Sequence, residues 1–383
     1  MKIAMLVPDN RDELRRYSDP EPYFGPAPSA LLEGLMECPE IEIHIVCCTQ
    51  RPLRAPARLA GNIFYHSLLV PKWGWLRGGY LGCVRAVRRK LRQINPDIVH
   101  GQGTERYCAL AAVCSGFPNV LTIHGNMRRL AGVNRARPFS FLWLAARLEG
   151  FTLPRSGGVI CLSGHTKGQV AGLAPLSWVV PNAVDSRFFE VERKPASPRQ
   201  ILCVASITPS KNQVQLIRAL DPLARQEKFD LIFYGSSVCE VQYVQEFLRL
   251  VQERAWCRFE GLADRAGVQA ALARAALLVL PTLEDNCPMV ILEAMAAGVP
   301  VAAAKVGGLP DLITDGVDGV LFDLDPSENI GRAVSEILLD DKKASQLASA
   351  ARSKALASFH PRKIAGRHLE IYREIVRGCR GSG

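Results

Sequence analysis

Residues 279–300 read VLPTLEDNCPMVILEAMAAGVP. An apolar run ends at Pro281, and an acidic loop with Glu284, Asp285 and Asn286 follows. Pro288 then suits the first position of a helix, where its missing N–H costs nothing. That helix is expected to run through Glu293 to about Ala297 and to stop at Gly298. Strand, loop and helix in this order form half of a parallel α/β repeat. The first turn of such a helix has unpaired N–H groups and the positive end of the helix dipole, which suits a diphosphate. Asp285 falls on the loop and Glu293 inside the helix, so the two carboxylates can hold hydroxyls on both sides of a bound anion, sugar hydroxyls at one end and ribose hydroxyls at the other. Without a ligand, the same residues read as a helix cap and a surface carboxylate.

Outward from this segment, short β-branched runs alternate with amphipathic stretches, the mark of parallel α/β structure. Strands are expected at 2–7, 41–48, 97–100, 119–124, 158–162 and 178–180, with helical stretches such as 29–37 and 80–94 between them. A second series falls at 200–205, 229–234, 258–260, 277–280, 299–303 and 319–322. Residues 361–377 read as one amphipathic helix with Ile364, Leu369, Tyr372 and Ile375 on its apolar side. The turn PNAVD at 181–185 precedes a polar, proline-containing stretch that reads as a linker. The 383 residues are too many for one ordinary core. The expected organisation is a domain over 1–185, a linker over 186–198, a second domain over 199–358 and a terminal helix over 359–383. Two doubly wound domains facing across a cleft, with ligands at the strand C-termini, is the simplest α/β architecture for this pattern.

Composition narrows the class. Apolar residues at 48% and charged residues at 22% describe a globular chain and exclude a disordered, collagenous or coiled-coil one. No apolar run approaches the roughly 18–20 residues that span a bilayer, and the start of the chain turns polar too early for a signal peptide. Twelve cysteines lie without a CxxC or a metal-like spacing, several of them in expected strands (Cys47, Cys48, Cys161 and Cys203). That usage fits a reducing cytosol, with thiols as small core residues. Gly101-Gln102-Gly103 lacks the third glycine of a dinucleotide fingerprint, and no Walker motif occurs, so nothing supports a dehydrogenase or an ATPase. No carboxylate cluster resembles a metal cage.

The net charge of +10 is uneven. Residues 1–200 hold 26 Lys and Arg against 15 Asp and Glu, and residues 51–175 hold 18 against 3. Such a block implies an anionic partner, whether nucleic acid, a membrane surface or a phosphorylated substrate; its plain alternative is a basic surface kept for solubility. Trp73, Trp75, Leu76 and Tyr80 precede Arg85, Arg88, Arg89, Lys90 and Arg92, and Arg128, Arg129, Arg135 and Arg137 precede Phe139, Phe141 and Trp143. Basic residues beside aromatics suit anionic lipid headgroups.

The 279–300 segment resembles the acidic E-x7-E signature of the retaining glycosyltransferases of family 4, with Asp285 at the first acidic position, where glutamate is more usual, and Glu293 at the second. Glu284 could share the first role. The flanking sequence agrees, down to VGGLPDLI at 306–313, which is similar to the family's Gly-Gly turn and helix start. VASITPSKN at 204–212 is similar to the family's strand-end loop G-R-x-x-x-x-K-G. There Lys211 matches the lysine that contacts the donor diphosphate, while Ser206 stands where the family has an arginine. PNAVD resembles the family's P-N-G-V-D turn, NVLTIHGN at 119–126 resembles the strand ending in a histidine near the donor sugar, and Gly25 in YFGPAPSALLEGL at 23–35 stands for the family's glycine-rich loop. Gly235 and Leu262 fall in loops that, in the family they resemble, flank the nucleotide.

The resemblance covers nearly the whole chain and implies the GT-B fold, with the C-terminal helix returning to the N-terminal domain. It implies His124, Lys211 and Asp285 as catalytic residues. Donor contacts would come from Gly25, Ser206, Gly235, Leu262, Glu284, Asn286, Cys287, Pro288, Met289 and Glu293. The expected reaction transfers a sugar from a nucleoside diphosphate sugar, UDP- or GDP-linked, to an acceptor hydroxyl with retention, without a metal and without a cofactor. The N-terminal half would receive the acceptor. Trp73, Trp75, Arg85, Arg88, Arg89, Arg128 and Arg129 would form an acceptor or membrane surface for a lipid-linked saccharide in cell-surface polysaccharide or glycolipid synthesis. The protein would be cytoplasmic and peripheral on the inner membrane face. The alternatives are a small soluble acceptor, a nucleotide-sugar-binding protein that has lost turnover (suggested by Ser206) and, from charge alone, a nucleic-acid-binding protein, against which no aromatic-rich nucleic-acid motif appears.

Overall fold

The computed structural model describes residues 1–14, 16–133, 135–237 and 241–381. The chain forms two compact units, Met1–Ala183 with Pro361–Gly383, and Val184–His360.

The first unit is built on an eight-stranded sheet of β1 (Lys2–Leu6), β2 (Glu42–Thr49), β3 (Arg58–Ala60), β4 (Ile63–Leu69), β5 (Ile98–Gln102), β6 (Asn119–Ile123), β7 (Val159–Cys161) and β8 (Ser177–Val179). Their order is β3-β4-β2-β1-β5-β6-β7-β8, and all pairs are parallel except β3 with β4. The strands are apolar on both faces because helices cover both. Ile3, Met5, Ile43 and Ile45 point to one face, while Ala4, Leu6, Val46 and Cys48 point to the other, as the two-residue period of a strand requires. The first face is covered by α1 (Pro26–Met36) and by the C-terminal helix (Pro361–Gly381). Ile364, Leu369, Ile371 and Ile375 of that helix are buried, each worth roughly 1.5–3 kcal/mol of apolar transfer. The opposite face carries α2 (Leu81–Ile94), α3 (Tyr107–Val113) and, beyond α4 (Met127–Val133), α5 (Phe141–Thr152), against which α4 packs.

The second unit has a six-stranded, wholly parallel sheet: β9 (Arg199–Val204), β10 (Phe229–Tyr234), β11 (Cys257–Phe259), β12 (Ala275–Leu280), β13 (Val301–Ala304) and β14 (Val320–Phe322), in the order β11-β10-β9-β12-β13-β14. Its helices include α6 (Gln213–Ala224), α7 (Arg265–Arg274) and α8 (Met289–Ala296). Cys47, Cys48, Cys161 and Cys203 are buried free thiols. Among the described residues no helix is long and apolar enough to cross a membrane.

Three expectations need correction. The β3–β4 hairpin was not expected, because its first strand is only three residues long, at the edge of the sheet, and opens on the exposed Arg58. Residues 186–198 are no free linker. Phe188 is fully buried, Arg193 donates to Gly298 O (3.0 Å) and Ala275 O (2.6 Å), and Lys194 N donates to Ala273 O (2.7 Å), all within the second unit. Pro288 takes the N-cap position, one residue before the helix begins.

Candidate active site

In the second unit the parallel strands deliver their loops to one end of the sheet. The loop after β9 carries Ser206 and Lys211, the loop after β10 starts at Gly235, and the loop after β11 holds Leu262 and leads into α7. The loop after β12 holds residues 281–288. These loops are tied to one another. Ile207 N donates to Ser236 O (2.8 Å), Gly235 N to Gly261 O (2.8 Å), Leu283 N to Ser210 O (2.8 Å) and Gly308 N to Asp285 O (2.9 Å). The hydroxyl of buried Thr282 lies 2.9 Å from Glu284 O and 3.1 Å from Ser210 O.

Two glycines make this closeness possible. A Cβ on Gly235 would sit 1.9 Å from Ala205 O, and one on Gly307 would sit 2.1 Å from Asp285 O, with φ at +56° as well. Both distances are impossible for a side chain, so the loops carrying Ser206 and Asp285 could not close with any other residue there.

Two of the three acids of the 279–300 segment, Asp285 and Glu293, each hold a cation. Lys211 Nζ lies 2.5 Å from Asp285 Oδ2, both side chains half-buried. Arg265, at the start of α7, pairs with the almost fully buried Glu293, and its other guanidinium nitrogen lies 3.8 Å from Asp185 Oδ2. The Arg265 guanidinium also stacks 4.5 Å from the Phe188 ring. Burial pushes the Glu293 carboxyl above its ordinary range, against the pull of Arg265. Asp185 is pushed up by burial too, but its bonds to Arg187 outweigh that and hold it below. Arg265 was missed in the sequence because it lies 28 residues before its partner and on another helix. Ser206 is exposed and brings no charge, and Leu262 is exposed. Cys287 and Pro288 are buried at the entrance to α8, with Glu284, Asn286 and Met289 half-buried beside them.

In the first unit, Gly25 begins α1 with φ at +83° and Pro26 follows at the first helical position. The preceding loop is anchored by a buried pair that the sequence did not announce: Asp9 accepts from Arg11 and from Tyr65 Oη (2.7 Å), while Arg11 also donates to Asp19 O and Arg54 O. His124 stands directly after β6, half-buried, with Nε2 2.8 Å from Gln102 Oε1. Glu149, buried in α5, accepts from Thr104 Oγ1 (2.6 Å), Met127 N (3.1 Å) and Arg128 N (3.2 Å), and so holds the segment after His124 against the loop after β5.

The expected aromatic and basic surface divides in two. Trp73 is 83% exposed, Arg85, Arg88 and Arg89 are exposed on α2, and Arg128 and Arg129 are exposed on α4, which packs against α5. Trp75 does not belong with them. Its indole N–H donates to Val70 O (3.0 Å), and its ring meets Tyr107 edge-on. It forms a wall of a cavity of about 300 Å³, with Asp12, Gln50, Tyr80, Arg106 and Phe141. Among the described residues no group of three or more His, Cys, Asp or Glu is arranged to hold a metal ion.

Two family models match this chain, Glycosyltransferase Family 4 over residues 30–188 and Glycosyl transferases group 1 over residues 184–354. The chain is a family 4-type glycosyltransferase. It is similar to glycogen synthase of Mycobacterium tuberculosis, 26% identical over 76% of this chain and 71% of that one. Over 49% of this chain and 46% of its own length, D-inositol 3-phosphate glycosyltransferase of Saccharomonospora viridis is 30% identical. Among solved structures, sucrose-phosphate synthase from Thermosynechococcus elongatus superimposes with a TM-score of 0.76 at 17% identity, covering 99% of this chain and 100% of that chain. Anabaena HepE in complex with UDP-glucose gives 0.72 at 20% identity, covering 98% and 100%. At these identities the structural likenesses speak for the fold, and the two Rossmann-like units of this glycosyltransferase are those of GT-B.

Proposed function

We propose that this glycosyltransferase takes a sugar from a nucleoside diphosphate sugar, UDP- or GDP-linked, and passes it with retention to an acceptor hydroxyl. The observation that carries this reading is the pair of acid–cation contacts, Lys211 with Asp285 and Arg265 with Glu293, at the strand end where α8 begins. A departing diphosphate builds negative charge, which Lys211 and the first amides of α8 stabilise electrostatically. Asp285 and Glu293 exchange their cations for sugar and ribose hydroxyls and align the donor. The departing phosphate takes the acceptor proton, and none of these steps asks for a metal. The solved complexes of HepE with UDP-glucose, and of starch synthase IV of Arabidopsis thaliana with ADP and acarbose, support a nucleotide-linked donor.

A thermal-shift panel of UDP-, GDP- and ADP-sugars tests the reading. One nucleotide sugar is expected to raise the unfolding temperature by several degrees at a concentration far above its dissociation constant, since a 100-fold excess adds about 2.7 kcal/mol. A flat response across the panel would sink it.

For the acceptor, the exposed basic helices beside Trp73 support a lipid-linked saccharide met at an anionic membrane surface, in polysaccharide or glycolipid synthesis. At roughly 1 kcal/mol per basic residue near the surface, changing Arg85, Arg88 and Arg89 to Gln is expected to weaken partitioning onto phosphatidylserine vesicles by about two orders of magnitude. Sedimentation that ignores anionic lipid and salt would remove the membrane from the account. The cavity walled by Trp75 favours a second reading, a small soluble acceptor, because its volume and mixture of aromatic and polar groups suit a single sugar ring.

A further inference from the structure

Two neighbouring parallel strands of the first unit build a column of polar groups on the face covered by the C-terminal helix. On β5, His100 and Gln102 alternate with Val99 and Gly101; on β6, Thr122 leads to His124, and Gln102 is in register with Thr122. His100, Gln102 and Thr122 are all buried. A buried polar group left unpaired costs about 1–3 kcal/mol, and here each has a partner. His100 Nδ1 lies 2.6 Å from Tyr372 Oη of the C-terminal helix, and its Nε2 lies 2.7 Å from Thr122 Oγ1 and 3.3 Å from Gln102 Nε2. Gln102 Oε1, at the other end of the amide, lies 2.8 Å from His124 Nε2. His368, one turn before Tyr372, packs its ring against both His100 and Tyr372.

We propose that Gln102, backed by His100, Thr122 and Tyr372, is a positioning residue that fixes the ring orientation and the tautomer of His124. The proposal rests on the reading of His124 as a residue of the donor site. With the amide placed as it is, the bonds have one consistent set of directions. Gln102 Oε1 accepts, so His124 carries its proton on Nε2 and its lone pair on Nδ1. Gln102 Nε2 and the Thr122 hydroxyl both face His100 Nε2 as donors, so the His100 proton sits on Nδ1 and is donated to Tyr372 Oη. A glutamine suits this place because it offers an acceptor to one imidazole and a donor to the next while remaining uncharged. A carboxylate there would charge the histidine instead. Burial lowers the affinity of both His124 and His100 for a second proton. The titratable groups facing His124 are Glu105, in the loop after β5, which pulls it upward, and His100 and His368, which burial also keeps neutral. Each link alone is an ordinary hydrogen bond; together they connect the ring to the last helix of the chain.

Four single variants of the full chain, and one double variant, test this. Imidazole NMR on histidine-labelled protein is expected to show His124 as the Nε2–H tautomer, and Gln102→Glu should raise its titration midpoint by at least about one pH unit, moving the acid limb of the pH–rate profile with it. Turnover is read as nucleoside diphosphate released from the donor that gives the thermal shift. Gln102→Leu should lower kcat about 10- to 100-fold with little change in donor KM, the scale expected when a reacting geometry loosens. Tyr372→Phe should produce a smaller drop of the same kind. In a His124→Ala background the Gln102→Leu loss should vanish, because one residue acts through the other. Additive losses in that cycle, or a His124 midpoint unmoved in Gln102→Glu, would overturn the proposal. His124→Ala with full turnover would instead overturn the donor-site reading of His124; the NMR titration would still decide whether Gln102 governs its ring.

Discussion

Glu293→Gln is expected to cut the thermal shift produced by the donor by about half or more and to destabilise the second unit at the same time. Glu293 is 3% exposed, and its carboxylate is the partner of Arg265. The neutral amide leaves a guanidinium beside Phe188 with Asp185 as its remaining acid at 3.8 Å, and Asp185 is already engaged by Arg187. Removing one member of a buried pair costs about 3–5 kcal/mol when the other stays charged. Asp185 can relax toward Arg265, which places the loss at the low end, about 3 kcal/mol. For a unit of this size that lowers the unfolding temperature by roughly 6–12 °C. Loss of ribose binding adds about 1.5–3 kcal/mol of donor affinity, a factor of roughly 10–150, the value of a hydrogen bond to a charged group. Calorimetric unfolding with and without the donor separates the two effects. If Glu293→Gln melts lower yet keeps the full donor shift, Glu293 serves the fold alone and does not touch the nucleotide.

Lys211→Ala should leave the fold almost unchanged and cost about 10²–10³ in kcat, the scale for removing one preorganised electrostatic group at a site of developing charge. Lys211 sits in the tight turn after Pro209 with its Nζ on Asp285, and Ser206 in the same loop offers no charge to replace it. In the resting protein the ion pair keeps both side chains in place. When the donor enters, Asp285 can turn to sugar hydroxyls and the ammonium to phosphate. A loss confined to KM would show instead that Lys211 holds the donor equally in ground and transition states. Lys211→Arg should recover only part of the activity, because a planar guanidinium does not replace a point charge at the end of a flexible stem.

Much of this was legible in the sequence, for a physical reason: it is local. Residues 279–300 contain a strand, its loop and its helix, and each signal lies within a few residues of the structure it sets. The same holds for His124 at the end of β6 and for Lys211 after β9. What could not be read depends on residues distant in sequence. Arg265 belongs to the site because α7 and α8 place it against Glu293. Trp75 reads as a surface aromatic until Val70 and Tyr107 fix it as a cavity wall. Residues 186–198 have the composition of a linker, and only the carbonyls at 273, 275 and 298 make them part of the second unit. Two of the three acids of the basic block follow the same rule. Asp97 accepts from Lys2 N and Glu149 holds the segment after His124, so they serve the interior and leave the exposed helices of that block basic.

The return of the C-terminal helix to the first unit also sets a timetable for biosynthesis. A ribosome makes residues 1–183 before residues 184–360, yet the helix that covers one face of their sheet and closes the bonds around His100 is made only after both. The intervening 177 residues form a unit of their own and can fold while the opening segment waits. At about 5–20 residues per second that wait is on the order of 10–35 s. During it, the sheet face lined by Ile3, Met5, Ile43 and Ile45 lacks half of its cover. The unit whose sheet is translated earlier is therefore the later of the two to mature, and its exposed nascent face is where a chaperone would have the most to do.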